Sequence, residues 1–258
     1  MSSAPDVADY AAQLRAEGYT CLPALLRPEE VAPFAEALRG EWLRLGRPAT
    51  LSRADVHLEP GVHVSPVGLT CASVLARIPG LAAVLLRPEL LAIFAELLGP
   101  GFELEFGAGV LSDDSRPFFF WHHHVGGIDA ADLRRAGYPA ATRVERLGCT
   151  LYATPLDDAN GVMQIWPRAA VGPTDPPFRP GEEPWPGATQ LRAPAGSVVL
   201  FDQGTWHAVT PMRRPGQRFF FGFFIRRRGL STRRCDPRLA EVFARDPRLA
   251  AAYGGAQR

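Results

Sequence analysis

From residue 102 onward the chain is a succession of short apolar runs, each of strand length and each closed by a turn signal. The runs are Phe102 to Leu111, Phe118 to Val125, Cys149 to Leu156, Val162 to Trp166, Ser197 to Asp202 and Phe219 to Ile225. Breaks such as Asp157-Asp158-Ala159-Asn160-Gly161 and Pro194-Ala195-Gly196 cannot continue a helix and favour tight reversals. This pattern predicts an antiparallel β sandwich or jelly roll over about residues 102–228. Before it the spacing is helical, at Asp6 to Arg15, Pro28 to Leu45 and Pro88 to Leu98. In the second of these Val31, Phe34, Ala37, Leu38 and Leu45 form one apolar stripe. Gly18 to Pro23 reads as a short strand, and Arg233 to Ala252 as a terminal helical segment. The expectation is a mainly β, single domain over residues 1–258, with helices at both ends packed on one face.

Charge and composition exclude several functions. A net charge of +1 provides no field for nucleic acid or a membrane surface. All the basic residues are arginine, so a Schiff-base lysine and a Walker-type lysine are both ruled out. Cys21, Cys71, Cys149 and Cys235 are widely spaced and suggest neither a disulfide framework nor a cysteine zinc site. The first ten residues carry Asp6 and Asp9 and no long apolar run, so the expected location is cytoplasmic, with no membrane partner.

Four of the six histidines fall in two apolar segments. His122-His123-His124 follows Phe118-Phe119-Phe120-Trp121, and His207 ends Gly204-Thr205-Trp206-His207. On a strand, alternate residues share a face, so His122 and His124 point one way and His123 the other. Two imidazoles on one face with a distant third are what a facial iron site requires. Two long loops, Gly126 to Gly148 and Val171 to Pro194, flank these segments as candidate lids, the second opening the route to His207. Thr150 and Gln164 lie on strands expected to pass the site. His57 and His63, around Glu59-Pro60-Gly61, read as an exposed loop rather than the pocket mouth, and Arg226-Arg227-Arg228 as a solvated strand end rather than an anion-attracting patch. The runs Phe118-Phe119-Phe120 and Phe219-Phe220-Phe221 read as mainly core.

The order of motifs resembles phytanoyl-CoA dioxygenase-like proteins over about residues 10–228. The resemblance is carried by Glu17-Gly18-Tyr19, by Pro23-Ala24-Leu25-Leu26-Arg27-Pro28-Glu29-Glu30-Val31 and by Leu97-Leu98-Gly99-Pro100. It continues in Leu156-Asp157-Asp158 with Asn160-Gly161, and in Gly196 to Asp202 followed by Trp206-His207 and Arg218. That family implies a double-stranded β-helix, a small-molecule substrate, O2, Fe(II) and 2-oxoglutarate. By position His122 matches its first metal ligand, His207 its last, and Arg218, eleven residues after His207, the arginine that grips the distal carboxylate of 2-oxoglutarate.

The chain departs from the family where an aspartate ligand is expected: His124 stands there. Pro167-Arg168-Ala169-Ala170 also replaces the family's Pro-Gly-Ser-His turn. An imidazole in place of the carboxylate removes one negative charge from the centre and widens the range of metals it accepts. Four readings follow: a three-histidine, 2-oxoglutarate-dependent Fe(II) centre; a three-histidine oxygenase without 2-oxoglutarate; a centre completed by Asp129 or water with His124 turned away; or a binding protein without catalysis. Related halogenases carry a small residue at the position of His124.

Overall fold

The computed structural model describes residues 6–72, 74–124, 144–170, 178–230 and 235–254. Asp6 caps helix α1 (Val7–Glu17): its carboxylate accepts from the Asp9 amide at 3.0 Å, and Asp9 accepts from the Asp6 amide at 3.1 Å. Gly18 ends α1 in the left-handed conformation, with φ 83°, and a Cβ there would collide with Thr205. Strand β1 (Tyr19–Leu22) follows, then α2 (Pro28–Arg44), which begins with Pro28 and carries Glu29 and Glu30 in its first turn. After β2 (Val56–Glu59), β3 (Val62–Ser65) and β4 (Gly68–Cys71) come the short helices α3 (Val74–Arg77) and α4 (Ala82–Leu85), then α5 (Pro88–Leu98).

The β core contains β5 (Phe102–Asp113), β6 (Phe119–His122), β7 (Arg146–Tyr152), β8 (Met163–Ile165), β9 (Thr189–Leu191), β10 (Val198–Asp202), β11 (His207–Val209) and β12 (Gln217–Arg227). The predicted C-terminal helical segment is two helices, α6 (Leu239–Arg245) and α7 (Pro247–Tyr253). Pro247 lacks the amide that would continue α6, and the Asp246 carboxylate caps α7 through the amides of Arg248 and Leu249.

Among the described residues the strands form two antiparallel sheets in a jelly roll, as the turn-separated strands predict. The large sheet has the order β1-β10-β7-β12-β5-β4-β3-β2 and the small one β6-β11-β8-β9. Alternation along β12 sorts its side chains between two environments. Phe219, Phe221, Phe223 and Ile225 pack with Leu38, Val74 and Phe94 in the core beneath the helices. Arg218, Phe220, Gly222 and Phe224 face the space between the sheets. The second Phe triplet is mainly core, as expected, with Phe220 lining a cavity. In the first triplet Phe120 is exposed and Phe119 lines the same cavity.

Three further expectations are corrected. Residues 56–65 form a hairpin, not a loop, and β4 joins it to β5, so the large sheet extends three strands past the predicted core. Glu59 explains part of this: with Glu41, Arg44 and Arg77 it forms a network of ion pairs, Arg77 Nη2 lying 2.6 Å from Glu59 Oε1. Arg226 is not at a solvated end; it is buried and pairs with Glu103 at 3.0 Å, while Arg227 pairs with Glu145 at 3.1 Å. Finally, the described part of the loop 171–194 does not cover a route to His207. Trp185 stacks on Trp121 with ring centroids 4.4 Å apart, and Phe178 and Trp166 pack beside it on the outer face of the small sheet. No helix among the described residues is long and apolar enough to cross a membrane.

Candidate metal centre

Three of the four predicted site residues converge at one end of the space between the sheets. The β6–β11 ladder sets His122 directly opposite His207. Here β6 is irregular: Phe120 and Trp121 both face outward, and the register shifts between the His207 and Val209 pairs, which returns His122 to the inner face. β6 ends at His122, but the His124 amide donates to the Gln203 carbonyl at 2.8 Å and holds the next residues in line. The ring nitrogens of His122, His124 and His207 lie within 4.8 Å of one another. His123 turns away, as alternation predicts, and its ring meets Trp206 edge-on at 4.5 Å. Asp129 lies outside the described residues.

The hydrogen bonds point the free nitrogens inward. His122 Nδ1 is 2.9 Å from the Phe120 carbonyl and His207 Nδ1 2.9 Å from the Thr205 carbonyl. An oxygen there accepts only from a protonated Nδ1, which leaves Nε2 with its lone pair on both rings. His124 Nε2 is 3.2 Å from His207 Nε2. Two nitrogens so placed share either a proton or a cation. A facial triad with metal–nitrogen bonds of about 2.1 Å sets neighbouring nitrogens about 3.0 Å apart, close to the separation seen.

Burial keeps these rings neutral, the state in which imidazole binds metals. It is the largest cause in all three, pulling His122 down to about 4, His124 to about 3 and His207 well below its ordinary value. The residues present therefore fit a divalent metal: three neutral nitrogen donors on one side of a site, with the other side open to a cavity.

A pH dependence follows. The unfolded chain takes up protons at the ordinary imidazole value of 6.5, while the folded, metal-free site resists them until far lower pH. Below 6.5 the unfolded state binds more protons, so stability is lost as pH falls towards 4. The melting temperature of metal-free protein should fall over that window, before most exposed carboxylates titrate. A flat profile would contradict three buried neutral histidines.

The cavity, about 300 Å³, runs from these histidines to Arg218. Phe106, Phe201 and Phe224 wall the metal end, with the Phe224 ring 5.0 Å from that of His124. Gly222 faces the middle, where a Cβ would meet nothing within 4 Å, so its lack of a side chain adds to the open volume. Arg218 closes the far end at 1% exposure, its Nε and Nη2 without a hydrogen-bond partner among the described residues and its Cζ 5.4 Å from the Tyr152 ring. Nε and Nη2 form the edge of a guanidinium that grips a carboxylate with two parallel bonds. Thr150 lines the cavity but Gln164 does not; it points the other way, 3.5 Å from Glu183. His63, assigned to an exposed loop by sequence, lines the cavity from β3, while its cross-strand partner His57 stays exposed. Sequence reasoning missed Arg116, buried in the turn after β5 and facing the same cavity. Its neighbours Asp114 and Ser115 read as an ordinary surface turn.

No protein-family model matches the sequence, and no curated protein matches it significantly. The fold, by contrast, is shared with solved enzymes at low identity. The non-heme alpha-ketoglutarate-dependent carbocyclase SnoK from nogalamycin biosynthesis superposes with a TM-score of 0.62 at 17% identity, covering 87% of each chain. The epimerase SnoN, solved with Fe3+, alpha-ketoglutarate and nogalamycin RO, gives 0.58 at 17% identity over 85% of this chain and 83% of its own. HygX from Streptomyces hygroscopicus, solved with nickel and 2-oxoglutarate, gives 0.59 at 16% identity over 85% of this chain and 87% of its own.

Proposed function

We propose that this protein is a non-haem Fe(II), 2-oxoglutarate-dependent oxygenase with a three-histidine centre, acting on a C–H bond of a small organic substrate. One observation carries the reading. A single apolar cavity has three neutral imidazole nitrogens at one end and, at the other, a buried guanidinium with no ion-pair partner among the described residues. The resemblance to phytanoyl-CoA dioxygenase-like proteins supports the same assignment, as do the cofactors bound by SnoN and HygX.

His122, His124 and His207 would hold the metal, and Arg218 the distal carboxylate of 2-oxoglutarate. Bound together, metal and cosubstrate supply the oxidising power, 2-oxoglutarate being converted to succinate and CO2 as O2 is consumed. The chain's own residues position the reactants and exclude water. The Phe120 and Thr205 carbonyls fix the tautomers and orientations of two ligands. Arg218 orients the cosubstrate along the cavity. The aromatic wall of Phe106, Phe201 and Phe224 keeps water from the metal and gives an apolar substrate surface to pack on.

The test is iron content and succinate formation after anaerobic loading with Fe(II), with and without 2-oxoglutarate, on admission of O2. We expect bound iron, and succinate only when 2-oxoglutarate is present. Oxygen consumption without 2-oxoglutarate would favour a three-histidine oxygenase that does not use it. Failure to retain iron would favour a binding protein without catalysis.

The imidazole at 124 has its own expected signature. His124→Asp adds one negative charge beside the metal, so the midpoint potential of bound iron should fall, while native turnover should not rise. Potentiometry and product analysis read the two effects separately. A strong gain in turnover would mean that the imidazole impairs an ancestral centre.

A further inference from the structure

Arg218 shares its end of the cavity with a second guanidinium. Arg116, 4% exposed, donates from Nη2 to the Thr210 carbonyl at 3.2 Å. A Cβ on Gly161 would lie 2.5 Å from that same carbonyl oxygen and 3.4 Å from Arg218 Nη1, so both guanidiniums border one small region. Tyr152 borders it too, with Arg218 packed over its ring.

Nothing among the described residues neutralises these cations. The most deeply buried ion pairs join Arg146 to Glu105, Arg168 to Asp202 and Arg226 to Glu103, and no ion pair among the described residues reaches Arg116 or Arg218. Burial, and then the charge of Arg218, pull Arg116 down to about 9, so it is still protonated at neutral pH. Two like charges buried side by side are unfavourable unless an anion sits between them. The unpartnered Nε and Nη2 of Arg218 show that its carboxylate-binding edge is free.

We propose that Arg116 and Arg218 form a two-cation cradle for one carboxylate, the distal carboxylate of 2-oxoglutarate. Arg218 takes it side-on through Nε and Nη2, and Arg116 adds a second cation from the Thr210 side. Only the identity of the anion rests on the proposed function; the cradle follows from the two guanidiniums. The cradle also sets cosubstrate selectivity. A 2-oxo acid with an uncharged tail, such as 2-oxopentanoate, would leave both cations unpaired and should be rejected far more strongly than by a single surface arginine.

The experiment is calorimetric titration of 2-oxoglutarate, succinate and 2-oxopentanoate into Mn(II)-loaded protein, with melting temperatures of ligand-free samples. Arg116→Gln should weaken 2-oxoglutarate binding at least tenfold and Arg116→Lys less. Ligand-free Arg116→Gln should melt at or above the wild-type temperature, because a buried unpaired charge is gone; a purely structural arginine would lower it. A folded Arg116→Gln that binds 2-oxoglutarate as the wild type does overturns the cradle and leaves the oxygenase reading intact. Wild-type protein that ignores 2-oxoglutarate but binds succinate, with the binding lost in Arg116→Gln, keeps the cradle and overturns the cosubstrate. Should Arg116→Gln not fold, Arg116→Lys and the wild-type preference for 2-oxoglutarate over 2-oxopentanoate decide: no preference overturns the cradle. Wild-type protein that responds to none of these anions also overturns it.

Discussion

His207→Ala should strip the protein of its metal. His207 is the most buried of the three histidines, and its ring lies 4.2 Å from that of His122 and 5.0 Å from that of His124, centroid to centroid. Its Nδ1–H is committed to Thr205, so its Nε2 has no role in the described fold other than to meet His124 or a metal. Loss of an outer partner of a metal ligand costs about 10–100-fold in affinity, and loss of a ligand itself should exceed that range. Equilibrium titration with Fe(II) or Co(II), followed by metal content after dialysis, reads the change directly. His122→Ala should behave alike. His123→Ala should not, because His123 lies against Trp206 on the other side of the strand. The metal-free His207→Ala protein should also lose less stability between pH 6.5 and 4, having one fewer buried imidazole to protonate. Wild-type metal affinity in His207→Ala would remove the three-histidine centre from consideration.

Arg218→Met should abolish cosubstrate binding while leaving the ligand-free protein as stable as before or more so. A cation at 1% exposure with two unpartnered nitrogens is a liability to the fold itself, and an apolar side chain of similar length removes it. Binding should respond in the opposite sense, because the two parallel bonds and the charge of the guanidinium are lost together. We expect the affinity for 2-oxoglutarate to fall at least about 100-fold, or about 2.7 kcal/mol. Arg218→Lys keeps the charge without the paired geometry and should fall at least about tenfold, or about 1.4 kcal/mol. Calorimetry of the loaded protein and melting of the ligand-free protein separate the two effects. A clear drop in melting temperature together with unchanged 2-oxoglutarate affinity would assign Arg218 to the core.

The metal end was readable because its information is local. His122 and His124 are two residues apart, and the period of a strand places both on one side with His123 on the other. The strands were readable for the same reason: Gly and Pro breaks and β-branched or aromatic runs act within a few residues. Even so, the local rule worked by a route that it does not describe. The strand ends at His122, an irregularity at Phe120 and Trp121 turns the histidine inward, and the Gln203 carbonyl holds His124 in place.

The other end of the cavity was only half readable. Arg218 follows from its spacing after His207 together with the motif resemblance. Arg116 carries no such signal, since its place beside Arg218 depends on the Thr210 carbonyl, ninety-four residues away. His63 is similar: it reaches the cavity because β3 joins the large sheet through β4, pairings worth nothing until β5 is in place. The described part of the second long loop shows the reverse case, its composition suiting a lid while the stacking of Trp185 on Trp121 draws residues 178–188 to the outer face. The sequence by itself determined the strands, their turns and the candidate metal-binding histidines, because side-chain alternation and turn preference are properties of neighbouring residues. Only the tertiary structure decided which side chains share a cavity, and that two buried arginines border it with no counter-charge among the described residues, because burial and charge pairing are set by parts of the chain brought together only when it folds.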